Sequence, residues 1–444
     1  MKLMFFIFLS KLVTFVCKLF KKNGTVLPGN VVYDWFKQKK ILEKVKYPKY
    51  VIAVTGSSGK GSTTALIYHV LTDCGYDVCY NASGSNGVLA ATTLILNNCN
   101  FKGEFKHEVL LIECDERHLK LIFGKNKMTH LVITNMTRDQ PTRHGEPNVV
   151  FNDIIAAIND NVHLIINADD PMLSRLKLTH KGELTTFAID HLDDDIQKPL
   201  LNNVDFAYCP NCHKKLKYEY YHYGHLGKFS CPNCDFSHGK ADYLATDVDL
   251  KNQTIKVNKK ECYINKNVIY AAYATIAAYA LLNTIGIEDE AILHSFNSNK
   301  VPSNLGREFT YKNHKFIILE TKSENNLSFY QGCKYVADQK GLKSVVLGFE
   351  HVSKRYKESD LSWLYDINFE LLNDKNLDKI FIFGKFKYDI ATRLEYAGIP
   401  EKKLVFVEET DQLMDIVVSN TKGDIYTMIW YDVVDRIMNN KAGA

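Results

Sequence analysis

The stretch YVIAVTGSSGKGST, Tyr50 to Thr63, decides how the chain is read. Its apolar run Tyr50–Thr55 ends at a glycine, as a buried parallel strand does, and Thr63–Thr72 continues as a helix. Glycines at 56, 59 and 61 allow a tight turn and close approach of a ligand to the backbone between them. A strand, a glycine loop and a helix in that order aim backbone N–H groups and a helix N-terminus at one point, which makes an anion site. Lys60 adds a mobile positive charge, and Ser62 or Thr63 offers a hydroxyl to Mg²⁺. Gly56, Ser57, Ser58, Gly59, Lys60, Gly61, Ser62 and Thr63 are therefore the candidate phosphate contacts of a bound nucleotide. The spacing is G-x-x-G-K-G-S. It is not the full G-x-x-x-x-G-K-[ST], because Val54 stands at the first glycine's place and Gly61 intervenes. A glycine turn that merely caps a helix is the alternative, and the coincidence of strand, lysine and hydroxyls argues against it.

Working outward, apolar runs at Val109–Ile112, Leu131–Thr134, His163–Ile166 and Thr185–Ala188 alternate with helical stretches such as Val149–Asn159. That alternation predicts a doubly wound parallel α/β sheet. Glu113 ends one of these strands, where a carboxylate ligand for Mg²⁺ belongs, and Asp115 and Glu116 follow it. The bland alternative for this E-C-D-E cluster is a solvated acidic loop. Thr134–Gln140, continued by Arg143, His144 and Glu146, leaves another strand end; its charges either line the same cleft or decorate a surface loop.

At 444 residues and 46% hydrophobic the chain is globular and large enough for two or three domains. Its 55 basic and 51 acidic residues leave a formal charge of +4, so no global field recruits nucleic acid. Four of eleven cysteines fall in two C-P-N-C knuckles, Cys209/Cys212 and Cys231/Cys234, eighteen residues apart. This C-x₂-C-x₁₈-C-x₂-C spacing predicts a zinc ribbon whose four thiolates close the coordination sphere, so Zn²⁺ there is structural. Reduced thiols with a metal suit the cytoplasm. Lys214, Lys215, Lys217, Tyr220, Tyr221 and His222 suggest a nucleic-acid face on the ribbon, but such faces are usually just solvated, and no nucleic-acid partner is expected.

The ribbon, 205–240, reads as an insertion, because the small-residue helix Tyr270–Leu282 resumes after it. A second boundary falls at Val301–Asn304, followed by strands at Phe316–Leu319, Ser344–Leu347, Lys379–Phe383 and Ile425–Ile429. The expected organisation is an N-terminal helical segment 1–45, a central domain 46–300 and a C-terminal α/β domain 301–444. Leu3–Phe20 is mostly apolar but interrupted by Lys11 and Lys18 on one helical face. It reads as a helix packed on the protein, as one touching a membrane surface, or as a span. Asp366 lies among large apolar residues in SWLYDINFE (362–370), where a helix cap, a buried ion pair or a catalytic task would each explain it.

Taken in order, GSSGKGSTT, ECDE, TRDQPTRHGE and NADDP (167–171) resemble the Mur ligase superfamily. The four-cysteine insertion, the R-D-Q-x-x-R-x-G-E stretch and SWLYDINFE narrow the resemblance to its MurT branch. The resemblance implies a central ATP-binding domain and a C-terminal Rossmann-like domain. It also implies the synthetase activity of lipid II isoglutaminyl synthase, in a heterodimer with a GatD-type glutamine amidotransferase. ATP would phosphorylate the D-glutamate α-carboxylate of the lipid II stem peptide, and ammonia from the partner would displace phosphate to give D-isoglutamine. It further implies that Asp366 completes a Cys-His-Asp arrangement whose other members lie on the partner. Acting on lipid II makes peripheral contact with the cytoplasmic face of the membrane an expectation. A stand-alone amino-acid ligase resembling folylpolyglutamate synthetase, or a non-catalytic scaffold with this fold, are the competing readings.

Overall fold

The computed structural model describes residues 2–82, 84–124, 127–141, 145–199, 205–298, 306–319, 321, 324–350 and 360–429. Arg143, His144 and the expected boundary at Val301–Asn304 lie outside the described residues. In chain order the strands are β1 Tyr50–Thr55, β2 Val78–Tyr80, β3 Val109–Glu113, β4 His130–Ile133, β5 His163–Asn167 and β6 Leu184–Ile189. They continue with β7 Lys217–Tyr223, β8 Leu226–Ser230, β9 Tyr243–Asp249, β10 Thr254–Val257 and β11 Lys260–Tyr263.

Among the described residues a nine-stranded sheet runs β11-β10-β9-β6-β5-β4-β1-β3-β2. It is parallel from β2 to β9 and antiparallel through β9, β10 and β11. The strand order reverses around β1, which lies between β3 and β4, so three strand ends open together at the crevice where such sheets bind ligands. Alternation along β1 sends Val51 and Ala53 to one core and Ile52 and Val54 to the other, which is why the run reads as continuously apolar. Helices Lys60–Asp73, Ile269–Thr284 and Asp289–Ser298 cover the second face. The alanines of Ile269–Thr284 let it lie close against Lys60–Asp73, as its small-residue composition predicts.

The other face carries helix Val88–Asn97 and, outside it, the N-terminal helix Lys2–Leu19. Phe6 and Ile7 enter the core, while Ser10 Oγ donates to Asn97 Oδ1 at 2.9 Å and Lys11 Nζ to the Cys99 carbonyl at 2.7 Å. Among the described residues no helix is long and apolar enough to cross a membrane, which removes the span reading of Leu3–Phe20.

The chain leaves the sheet after β6, forms the antiparallel β7–β8 hairpin, and returns as β9 paired directly beside β6. Residues 205–240 are thus an insertion in the topological sense. The helix expected to reach Asn159 ends at Ile155 and continues as turns.

Six further strands are β12 Gly306–Tyr311, β13 His314–Leu319, β14 Lys343–Gly348, β15 Leu377–Phe383, β16 Leu404–Val407 and β17 Asp424–Ile429. They form a second sheet, β12-β13-β17-β14-β15-β16, parallel except for the β12–β13 hairpin. One face is sealed by Phe329, Phe349, Trp363 and Phe369.

Candidate nucleotide site and metal centre

The loop after β1 is held open by its neighbours. Gly56 has φ +123°, and a Cβ there would collide with Thr134 Oγ1; Gly59, at φ +85°, starts the helix Lys60–Asp73. Only glycine adopts the first of these without both strain and a clash. The segment after β4 pins the loop from one side. Ser57 N donates to the Asn135 carbonyl at 2.9 Å, Ser58 N to Asn135 Oδ1 at 3.1 Å, and Thr134 Oγ1 to the Ser58 carbonyl at 2.6 Å. Ser57 Oγ donates to the Thr137 carbonyl at 2.6 Å. The TNMT part of that segment, which from sequence could equally be a surface loop, is therefore part of the phosphate loop's support.

Lys60 is buried, and its ammonium donates to the Gly56 carbonyl and, at 2.8 Å, to Glu116 Oε1. Glu116 Oε1 also accepts Gly56 N–H at 3.2 Å. Burial opposes the lysine's charge, but the carboxylates of Glu116, then Asp139 and Glu113, more than offset it, so its pKa lies above the usual lysine value. The acid that holds Lys60 is thus Glu116, not Glu113. Glu113 faces the start of the helix instead, since a Cβ on Gly61 would stand 3.3 Å from Glu113 Oε2. Asn81 fixes the Glu113 backbone through two 2.8 Å hydrogen bonds. Thr63 is buried with its hydroxyl on the Gly59 carbonyl at 2.9 Å, whereas Ser62 is half exposed. Glu113 and Ser62 offer oxygen donors of the kind Mg²⁺ takes at the two sides of the helix start, and Lys60 already balances negative charge, so these residues fit a Mg²⁺-nucleotide.

From the second sheet, Asn325 reaches this loop. It caps helix Asn326–Asp338 by accepting Ser328 N–H at 2.8 Å, and its amide donates to Asp139 Oδ1 at 2.9 Å and toward Ser58 Oγ at 3.4 Å. Sequence reading missed this residue; the Asn-before-helix signature marks the cap but not the loop contact.

The four cysteines converge. Cys209, Cys212, Cys231 and Cys234 have Sγ atoms within 4.8 Å of one another, with Cys209–Cys234 at 3.5 Å and Cys212–Cys231 at 3.4 Å. Tetrahedral Zn–S bonds of about 2.3 Å require S···S near 3.8 Å, so the cluster fits zinc with little adjustment. The backbone N–H groups of Asn211 and Asn233 point at Cys209 and Cys231 Sγ, each at 3.4 Å, as thiolate ligands need.

The hairpin is anchored by a network the sequence did not disclose. Asp169, fully buried, accepts His238 Nε2 at 2.7 Å, Tyr273 OH at 2.9 Å and Ile189 N–H at 3.0 Å. Burial would raise its pKa, but the hydrogen bond from His238 and the nearby His222 hold it below the usual carboxylate value. Asp195 bonds His222 at 2.6 Å, and burial notwithstanding, this partner and Asp169 raise the His222 pKa. Asp170 accepts Met136 N–H at 2.7 Å and faces His225 at 3.5 Å. The NADDP acids therefore connect the ribbon to the segment that supports the phosphate loop.

Asp366 closes the 3-10 turn Ser362–Asp366 and faces the central domain. Arg138 bridges it at 3.4 Å while binding both oxygens of Asp205 at 3.0 and 3.1 Å; Glu146 stands 3.7 Å from the same guanidinium. Burial raises the Asp366 pKa, and Arg138 offsets only part of that rise. The ion-pair reading of Asp366 is thus real, and the pairing partner is a residue of the RDQ stretch.

Two family models match along the chain: the Mur ligase middle domain over residues 54–235 and the MurT ligase C-terminal domain over 323–433. The MurT subunit of lipid II isoglutaminyl synthase (glutamine-hydrolyzing) from Staphylococcus aureus strain N315 is 26% identical over 397 residues, 88% of this chain and 87% of that protein. Its Streptococcus pneumoniae R6 counterpart is 27% identical over 421 residues, 92% and 90% of the two chains. Over most of its length the chain thus matches the Mur ligase family in its MurT branch. The fold agrees: a pseudomurein peptide ligase type C from Methanothermus fervidus superposes with TM-score 0.64 at 20% identity, covering 90% of this chain and 81% of its own. MurF from Acinetobacter baumannii gives 0.60 at 14% identity, covering 94% and 81%. The match to the Mur ligase middle domain begins at Val54, on the strand that leads into the phosphate loop, and ends just past Cys234, the last of the four clustered cysteines.

Proposed function

We propose that this chain is the ATP-dependent synthetase subunit of a glutamine-hydrolysing lipid II isoglutaminyl synthase, acting in the cytoplasm beside a GatD-type amidotransferase. The observation that carries the proposal is the phosphate loop held between the ends of β3 and β4, with Lys60, Glu113 and Glu116 converging on it. A carboxylate is a poor electrophile until one oxygen becomes a phosphate leaving group. In the proposed reaction an α-carboxylate oxygen of D-glutamate attacks the γ-phosphorus and ADP departs. Ammonia then adds to the acyl phosphate carbonyl, loses a proton, and expels phosphate to leave the amide.

Lys60 exchanges its Glu116 contact for the transferring phosphoryl group, and the backbone N–H groups of the first turn of helix Lys60–Asp73 cradle the phosphates. Mg²⁺ supplies charge neutralisation on the phosphates when bound, and Glu113 with Ser62 would hold it. Zn²⁺ at Cys209, Cys212, Cys231 and Cys234 has no open position and would stabilise the fold. The four-thiol cluster needs reduced cysteines, which supports a cytoplasmic setting. Asp366 is assigned to orient a histidine of the partner's glutaminase site, with Arg138 fixing its position from the central domain.

The test is turnover by the purified chain with its amidotransferase, glutamine, Mg²⁺, ATP and lipid II. Amidated stem peptide and ADP should appear together, and Lys60→Ala should remove both while leaving the circular dichroism spectrum unchanged. Absence of ATP consumption by the wild-type complex, or full turnover by Lys60→Ala, overturns the assignment.

A further inference from the structure

The N-terminal helix Lys2–Leu19 has two apolar faces, and the protein uses only one. Phe6, Ile7, Ser10 and Cys17 turn inward. On the opposite side Met4, Phe8, Leu12, Phe15, Val16 and Leu19 are exposed, Phe15 by 59% and Leu19 by 65%. At about 3.6 residues per turn these six, with Phe5, fall within an arc of roughly 120°. The stripe does not end with the helix. Phe36 packs edge-on against Phe5 at 6.4 Å and is itself half exposed, and Trp35 beside it is 69% exposed. A continuous apolar strip of this length is unusual on a soluble surface and marks an interaction site.

Charge selects the occupant. On the same helical projection Lys18 borders the strip on one side and Lys2 on the other, Lys21 and Lys22 extend the border past the helix end, and Lys37 follows Phe36; Lys11, on the Lys18 side, is turned back to the Cys99 carbonyl. Eleven lysines against Asp34 and Glu43 give residues 1–50 a formal +9. The whole chain carries +4, so the remaining 394 residues carry −5. The basic charge is thus concentrated in the segment that carries this apolar strip. An apolar ridge rimmed by lysines, with a tryptophan at its edge, matches a bilayer interface: rings and aliphatic chains enter the acyl boundary while ammonium groups stay among anionic headgroups. A second protein surface would not call for lysines on every side.

We infer that the outer face of helix Lys2–Leu19, with Trp35 and Phe36, docks this protein in-plane on an anionic lipid bilayer surface. The helix lies along the interface and does not span it. Helix Val88–Asn97 carries the docked helix at its C-terminal end through Asn97. Its N-terminus, where Val88 N–H donates to His118 Nδ1 at 2.9 Å, stands beside the Glu113 strand end. Ten residues at about 1.5 Å each put roughly 15 Å, one helix length, between the nucleotide cleft and the inner side of the docked helix. Docking by this face does not depend on the acceptor being lipid-linked.

The test is flotation of the full-length chain with phosphatidylcholine vesicles and with mixed phosphatidylcholine–phosphatidylglycerol vesicles. Wild type should float with the anionic vesicles and not with the neutral ones, and raising salt past about 0.5 M should release it. The exposed double substitution Phe15→Asp with Leu19→Asp should lower partitioning more than tenfold. Lys18→Gln with Lys21→Gln and Lys22→Gln should lower it by a factor of about five per lysine. Unchanged melting and ATP turnover in solution would show that both variants fold. Equal flotation by variants and wild type, or no flotation with anionic vesicles, overturns the proposal. So does a wild-type dimer that Phe15→Asp with Leu19→Asp converts to monomer, since a second copy would then cover the face.

Discussion

Removing Glu116 tests how the phosphate loop is balanced in the absence of nucleotide. Its carboxylate stands 2.8 Å from Lys60 Nζ, and the two side chains are only 5% and 10% exposed. Taking away one partner of a buried ion pair costs about 3–5 kcal/mol, chiefly because the remaining charge is left desolvated. Lys60 keeps the Gly56 carbonyl, and the carboxylates of Asp139 and Glu113 still favour its charge. Gly56 N–H loses its acceptor at the same time. Glu116→Ala should therefore fall near the low end, about 3 kcal/mol, and Glu116→Gln, which retains an acceptor oxygen, should lose about half as much.

The nucleotide provides the control. For the wild type, a non-hydrolysable ATP analogue at a hundred times its Kd should stabilise by about 2.7 kcal/mol through mass action. In Glu116→Ala the phosphates supply the missing counter-charge, so the analogue should recover most of the apo deficit as well. Thermal unfolding of wild type and both variants, each with and without analogue, reads the whole cycle. An apo Glu116→Ala protein within about 0.5 kcal/mol of wild type refutes the idea that this pair holds the loop. A nucleotide-induced shift no larger than the wild type's refutes the idea that phosphate and Glu116 compete for Lys60.

Asp366→Asn should depress glutamine hydrolysis by the assembled complex while leaving ATP-analogue affinity within twofold. Arg138→Lys should do the same more weakly, because a lysine cannot hold Asp205 by two bonds and still reach Asp366; equal glutaminase rates in all three proteins refute the positioning role. Chelation should strip the metal and open the β7–β8 hairpin to hydrogen exchange while the nine-stranded sheet stays protected, and native protein without zinc by elemental analysis counts against the site. The raised His222 pKa means its stabilisation is complete below about 6.5 and is lost as pH climbs through the folded value; the lowered Asp169 pKa means the opposite limit, stability present above about 3.9 and lost on further acidification. Hairpin protection, corrected for intrinsic exchange, should fall as pH rises above about 6.5, and His222→Gln should flatten that dependence.

The parallel sheet was legible because its strands are buried on both faces and read as unbroken apolar runs: Tyr50–Thr55, Val109–Ile112 and His163–Ile166 all fall inside observed strands. The edges were not. β2 has three residues, and β9 to β11 mix charged and apolar positions because one side meets water, so neither periodicity nor length announces them. The convergence of the four cysteines was legible because two short C-x₂-C knuckles at this spacing are the pattern a metal site requires. Asp169, His222 and His238 were not, since their meeting depends on where an inserted hairpin folds back, up to 69 residues away in sequence. Glu116 was visible only as one acid of three. Which carboxylate takes Lys60 is set by the 3-10 turn Glu116–His118, capped when Asp115 accepts Arg117 N–H at 3.2 Å.

The same reasoning explains why Arg138 joins elements that no motif links. The guanidinium presents a planar fork of donors, and here that fork meets Asp205 at the root of the ribbon insertion, Glu146 ahead of helix Pro147–Ile155, and Asp366 from the second sheet. Its own backbone lies one residue past Thr137, whose carbonyl accepts from Ser57 of the phosphate loop. Its neighbour Asp139 takes the Asn325 amide that also faces Ser58. A shift of the second sheet toward or away from the central domain therefore changes Arg138 and Asp139 together, and both are tied through Thr137 to the loop that carries Lys60. Three acids on one arginine cannot all be satisfied at their best distance: Asp205 is held at 3.0 Å, Asp366 at 3.4 Å and the largely exposed Glu146 at 3.7 Å. Of the two half-buried acids Asp366 is the one more readily released to another partner, while Asp205 keeps Arg138 in place when that happens.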